Sequence, residues 1–302
     1  MKQRIILFLS GLVILFSSCE DEITPTLEEA DPILSVDAWI TDLPEPQVIR
    51  LSLTQPYFDT VPNPVSGASV RIEGSNGSAY DFVETENDPG AYYWNPSDAE
   101  PTFGTVGETY TLTIATSDQT YSSVSSLNPV PPIDSITYEL LEGTAFFPET
   151  YFAEFWATDL PEVGNAYWVR AYKNSVLLNE PNDISVAYDA GFSRGGNFNG
   201  TVFAQPIRSG INPFRQDEED ETLPAYELGD SLTVELYSIS EEAFDFLSQV
   251  AIQTNRPGGF AELFANPIAN VSTNIVNTDP SGPPAVGFFN VGAVSREGIL
   301  IE

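Results

Sequence analysis

The chain has 302 residues, 44 of them Asp or Glu and 11 Lys or Arg, for a formal net charge of −33, with 42% hydrophobic and 12% aromatic content. That apolar content suffices for one or two substantial cores, while the charge repels phosphate backbones and anionic headgroups and excludes nucleic acid as a partner. There is no histidine and a single cysteine, Cys19, which removes Ser-His-Asp and Cys-His catalysis, intramolecular disulfides and the commonest ligands for zinc, copper and iron.

Lys2 and Arg4 precede an apolar run over residues 5–16, interrupted only by Ser10 and Gly11 and followed by Ser17, Ser18 and Cys19. This order predicts a secretory signal peptide over residues 1–18. The run is shorter than the roughly 20 residues of a membrane-spanning helix and is followed at once by Glu20, Asp21 and Glu22. Leu15-Phe16-Ser17-Ser18-Cys19 resembles a bacterial lipobox, which implies a lipid on Cys19 and membrane attachment through it. Glu20, Asp21 and Glu22 resemble the acidic signal that sends Bacteroidota lipoproteins to the outer face of the outer membrane. Residues 19–32 then read as a polar tether.

From residue 33 the pattern becomes short alternating stretches at 33–40, 48–53, 68–72, 79–83, 91–94 and 109–114, separated by turn signals such as Ser75-Asn76-Gly77, Asp88-Pro89-Gly90 and Thr105-Val106-Gly107. Period-two alternation predicts half-buried strands, and about seven at this spacing predict an antiparallel sandwich over residues 33–130. The cluster Asn128-Pro129-Val130-Pro131-Pro132 marks a boundary, because prolines cannot donate to a central ladder. Residues 131–302 read as a second β-rich domain, with strands near 135–141, 151–157, 166–172, 184–188, 231–237, 286–291 and 298–301. One amphipathic helix is predicted near 240–254: Ser238-Ile239-Ser240-Glu241 fits a capping box, and Phe244, Leu247 and Ala251 recur on one face.

Several of these stretches resemble one family, the Bacteroidota outer-membrane lipoproteins grouped as domain-of-unknown-function family 4249. Leu34-Ser35-Val36-Asp37-Ala38-Trp39-Ile40-Thr41-Asp42-Leu43-Pro44-Glu45-Pro46 resembles the family's opening strand and turn, with Ala38 and Glu45 where glycine is more usual. Pro131-Pro132-Ile133-Asp134-Ser135-Ile136 is similar to its mid-chain junction. Asn266-Pro267-Ile268, Thr273-Asn274-Ile275 and Gly287-Phe288-Phe289 are similar to its closing motifs, with Phe288 in place of a common tyrosine. Residues 65–72, Gly90-Ala91-Tyr92 and residues 107–112 resemble an Ig-like, prealbumin-like (carboxypeptidase-regulatory) sandwich, which implies a module without an active site. The family implies an accessory part beside a TonB-dependent outer-membrane transporter. It supplies no catalytic residues and no cofactor.

Two surfaces stand out as binding candidates. Tyr92, Tyr93 and Trp94 precede the turn Asn95-Pro96, where rings can reach solvent and stack on sugars, although alternate aromatics on strands more often build a core. The segment Phe192-Ser193-Arg194-Gly195-Gly196-Asn197-Phe198-Asn199-Gly200 is too glycine-rich for a plain strand and reads as a loop over a binding surface, with Phe192, Arg194 and Phe198 as contacts, although such loops are more often simple surface excursions. Asp217-Glu218-Glu219-Asp220-Glu221 lacks the interspersed Gly or Asn of a calcium loop and reads as solvated; no metal site is predicted. The leading expectation is a non-catalytic, surface-exposed lipoprotein that binds cargo, or a transporter, within a TonB-dependent system. A free-standing carbohydrate- or protein-binding adhesion module is the second reading, and an acid-pair glycoside hydrolase the third.

Overall fold

The computed structural model describes residues 30–56, 59, 61–144, 147–219, 221–256, 265 and 267–302; Cys19, Glu20, Asp21 and Glu22 lie outside them. Pro32–Glu302 forms one compact unit. It is mainly β, as the alternation requires, and among the described residues no helix is long and apolar enough to cross a membrane.

The strands are β1 (Leu34–Thr41), β2 (Gln47–Leu53), β3 (Asn63–Pro64), β4 (Ser69–Gly74), β5 (Ala79–Thr85), β6 (Asp88–Trp94), β7 (Thr109–Ala115) and β8 (Thr120–Ser126), followed by β9 (Ile133–Leu141), β10 (Thr150–Ala157), β11 (Ala166–Lys173), β12 (Val176–Leu177) and β13 (Ser185–Tyr188). The last four are β14 (Ser231–Ile239), β15 (Val276–Asn277), β16 (Ala285–Gly292) and β17 (Val294–Leu300), with helix α1 (Glu241–Thr254) between β14 and β15. In β1 the two-residue period turns Leu34, Val36, Ala38 and Ile40 inward and leaves Ser35, Asp37 and Trp39 on the outer face.

Ten strands form one sheet in the order β15-β8-β7-β4-β5-β6-β2-β1-β16, with β3 on β2. β5 gives its first half to β4 (Val70↔Phe82, Ile72↔Tyr80) and its second half to β6 (Val83↔Tyr93, Glu84↔Tyr92), so the sheet turns a corner along one strand. At its other end β16 returns beside β8: the Val291 N–H donates to Ser125 Oγ at 2.9 Å, and Asn128 and Gly292 form a parallel bridge. The expected sandwich is thus a sheet nearly closed into a barrel, filled by Tyr80, Tyr92, Trp94, Phe103 and Tyr110.

The expected boundary at residue 130 is crossed by the C-terminal segment. β16 pairs in parallel with β1 along all eight residues, from Leu34↔Ala285 to Thr41↔Gly292, and β15 pairs with β8. Ile275, Ala285, Phe289 and Val291 therefore belong to the barrel core. Parallel pairing needs a long connection, and here everything from β2 to β15, in both layers, supplies it.

That second layer is an antiparallel sheet, β12-β11-β14-β17, with β13 also on β11. One face of it, with Tyr167, Val169, Val234 and Leu236, packs under the β9–β10 hairpin, including Phe155. The opposite face, with Ala166, Trp168, Tyr237 and Ile239, meets α1 and the outer face of β1 and β16. The junction is tied by buried and half-buried hydrogen bonds: Tyr237 Oη donates to the Ile40 carbonyl at 2.7 Å, Ser238 Oγ to the Asn128 carbonyl at 2.6 Å, and the Ser240 N–H to Asn290 Oδ1 at 3.0 Å. Buried polar groups satisfied in this way hold a junction in one register.

Candidate binding groove

The structure moves the first predicted surface indoors. Tyr92 is 1% and Trp94 8% exposed; Tyr92 Oη donates to the Val65 carbonyl at 2.8 Å and accepts from the Ala68 N–H at 2.9 Å. Trp94 packs edge-on against Tyr80 and Phe103. The reason is position in the sheet: β6 is a central strand between β5 and β2, so its inward residues are core however close a turn follows. Tyr93, on the opposite face, is half-buried, and its hydroxyl donates to Asp88 Oδ2 at 2.6 Å. That bond holds the Asp88 carboxyl below its ordinary value and pushes the Tyr93 hydroxyl up.

In the predicted loop, Phe192 is 55% and Phe198 41% exposed. Arg194, by contrast, is committed within the molecule. It pairs with Asp245 at 2.8 Å and Glu241 at 3.3 Å on the first turns of α1, over the rings of Tyr188 and Phe244. It clamps the loop to the helix, and the bond to Asp245 raises its already high pKa. The acidic run closes a small turn of its own, Asp217 Oδ1 accepting the Glu219 and Glu221 N–H groups at 2.9 Å each. Tyr92 and Trp94 belong to the barrel core, whereas the loop is fastened through Arg194 to α1, so the two predicted surfaces are not brought together.

A different site emerges at the junction. A groove of about 390 Å³, within the usual range for small ligands, has the outer face of β1 and β16 as its floor, α1 as one wall and the β11–β13 region as the other. Trp39 and Phe288 stack on the floor with ring centres 5.8 Å apart. Trp168 meets Trp39 edge-on at 5.0 Å, and Phe246 of α1 lies 4.9 Å from Phe288. Trp39, Trp168 and Phe246 are each only half-buried. The backbone allows this floor because Gly287 sits at φ +92, where a Cβ would collide with the Val36 carbonyl.

One carboxylate stands in this apolar lining. Asp37 lies opposite Arg50 in the β1–β2 ladder, yet Arg50 turns to Asp88 at 3.1 Å. Desolvation by the groove walls raises the Asp37 carboxyl above the usual range, opposed by the Arg50 charge and a hydrogen bond from Trp39. Its surface remains open to water at the groove mouth, which limits that penalty. The other acid of the rim, Asp183, is neutralised by Arg215, which also pairs with Glu180 at 2.8 Å.

On the same face of the second sheet, Glu235 is fully buried between two arginines on the flanking strands. Arg170 pairs with Oε2, Arg296 Nε donates to Oε1 at 2.7 Å, and Tyr172 Oη donates to Oε2 at 3.0 Å. Arg296 reaches on to Glu45 in the β1–β2 turn at 3.1 Å, so the network also fastens the barrel to the second sheet.

Sequence reasoning passed over Asp37 and Trp39 as site residues, although a signal was present: both fall on the outward parity of a strand whose inward residues are all apolar, and an outward tryptophan needs a partner or a ligand. The groove floor also coincides with two of the stretches that carried the family resemblance, residues 34–46 and Gly287-Phe288-Phe289. Among curated proteins none matches this chain. The family model described as a domain of unknown function, DUF4249, matches residues 20–297, nearly all of the chain beyond Cys19. The chain belongs to the DUF4249 family.

Proposed function

We propose that this protein is a non-catalytic binding protein, held at the outer face of the outer membrane by a lipid on Cys19, that presents cargo to a TonB-dependent transporter, with the aromatic groove as its cargo site. The observation that carries this reading is the groove itself: a preformed, mostly apolar concavity with one carboxylate, Asp37, whose cross-strand arginine is bound to another acid, built where two β-layers and a helix meet. The order of residues 1–22 supports the anchor and its address. The polysaccharide platform imagined at Tyr92 and Trp94 has no support in the fold, because those rings fill the barrel.

The anchor is tested by labelling cells with a radiolabelled fatty acid and treating them with protease from outside. Wild type is expected to carry label and to be cleaved on intact cells, and Cys19→Ala to lose both label and membrane retention. Unchanged retention of Cys19→Ala would remove the anchor from the account.

A further inference from the structure

We propose that the groove selects a small organic cation, a protonated amine or guanidinium on an apolar body, with the charge at Asp37 and the body against Trp39, Trp168 and Phe246; this rests on the groove being the cargo site. Asp37 is the outward residue at the middle of β1, and its cross-strand neighbour Arg50 is drawn away to Asp88. Asp183 is occupied by Arg215, so the negative field in the groove comes from Asp37. A neutral ligand closing over the groove would bury that charge unpaired, and an anion would be repelled, whereas a cation converts the cost into an ion pair.

The aromatic lining favours the same ligand. Rings present a negative face to a cation, and this cluster already holds one: the Arg170 guanidinium carbon lies 5.4 Å from the Trp168 ring centre and 5.2 Å from that of Tyr237, its own charge balanced by Glu235. The net charge of −33 adds long-range attraction for cations.

Titration of the full chain with 2-phenylethylamine, 2-phenylethanol and 3-phenylpropionate, followed by tryptophan fluorescence, separates these terms, since Trp39 and Trp168 both line the groove. The amine is expected to bind about tenfold more tightly than the alcohol, a difference on the scale of a desolvated cation–π contact with an ion pair, and the carboxylate to show no saturable binding. Asp37→Asn should bring the amine down to the level of the alcohol while still melting in one cooperative transition, and Trp39→Ala should weaken both ligands. Equal affinity for amine and alcohol, with Trp39→Ala weakening both, would overturn the cation assignment and leave the groove as a binding site. No saturable binding of any of the three at millimolar concentration would overturn both.

Discussion

Asp37 and Glu235 are carboxylates on the strand faces that meet at the junction, and their surroundings give them opposite roles. Glu235 is enclosed by Arg170, Arg296 and Tyr172, so replacing it leaves two guanidinium groups without their shared partner. Glu235→Gln keeps the shape and should cost about 3 kcal/mol, the low end for breaking a buried pair, as measured by urea unfolding; a loss under 0.5 kcal/mol would mean the network is slack. Asp37 has no such enclosure, and its folded-state pKa lies above the ordinary carboxylate value. A raised acid pKa means the native state holds the proton more tightly, so stability falls as pH rises from the ordinary carboxylate range through the raised value. At pH 7 Asp37→Asn should therefore melt above wild type, and the gain should shrink as the pH is lowered through that window; a variant that melts lower at pH 7 contradicts the desolvation argument. A residue that weakens the fold while facing a groove fits a stability–function trade-off. The outward side of Trp39 was legible because Ala38 and Ile40 beside it are plainly inward. The inward side of Tyr92 and Trp94 was not, because residues 91–94 are all large or apolar and only the neighbouring strands decide which parity faces the core.

At the scale of elements, strand positions were readable from local alternation while their partners were not. β1 and β16 each show the pattern of a strand, yet nothing local announces that they pair in parallel from opposite ends of the molecule. Gly287 is the point on which that pairing turns. Gly287→Ala should cost ~2 kcal/mol or more, from the positive φ and the close approach of Val36, and should loosen the groove floor with it. Helix α1 was foreseen nearly to the residue, but its cap lies two residues later than the predicted box: Ser240 accepts the Ala243 N–H, while Ser238 serves the junction through the Asn128 carbonyl. The prediction failed there because Ser238 is still in β14, paired with Tyr167, and tertiary pairing outweighs a local capping pattern. Ser240→Ala should cost ~1 kcal/mol and no more, as a lost cap does; thermal melts of the two variants side by side check the ranking.

For the whole molecule, the shared strands make the proline cluster a crossing point of the fold. A fragment ending at residue 130 keeps β1 to β8 but lacks β16, so it would expose the edge of β1 and leave Ala38 and Ile40 without Phe289 and Val291. Such a fragment is expected to aggregate or to unfold without cooperativity; a sharp melting transition equal to that of the full chain would show that the barrel stands alone. The same architecture puts the groove between the barrel and the second sheet, so the groove exists only when both are assembled. The most direct test is affinity purification of the full chain from outer membranes in mild detergent, followed by mass spectrometry across a range of salt concentrations. A TonB-dependent β-barrel transporter is expected to co-purify in comparable amount with wild type and with Trp39→Ala; the absence of any such transporter at every salt concentration would contradict the account.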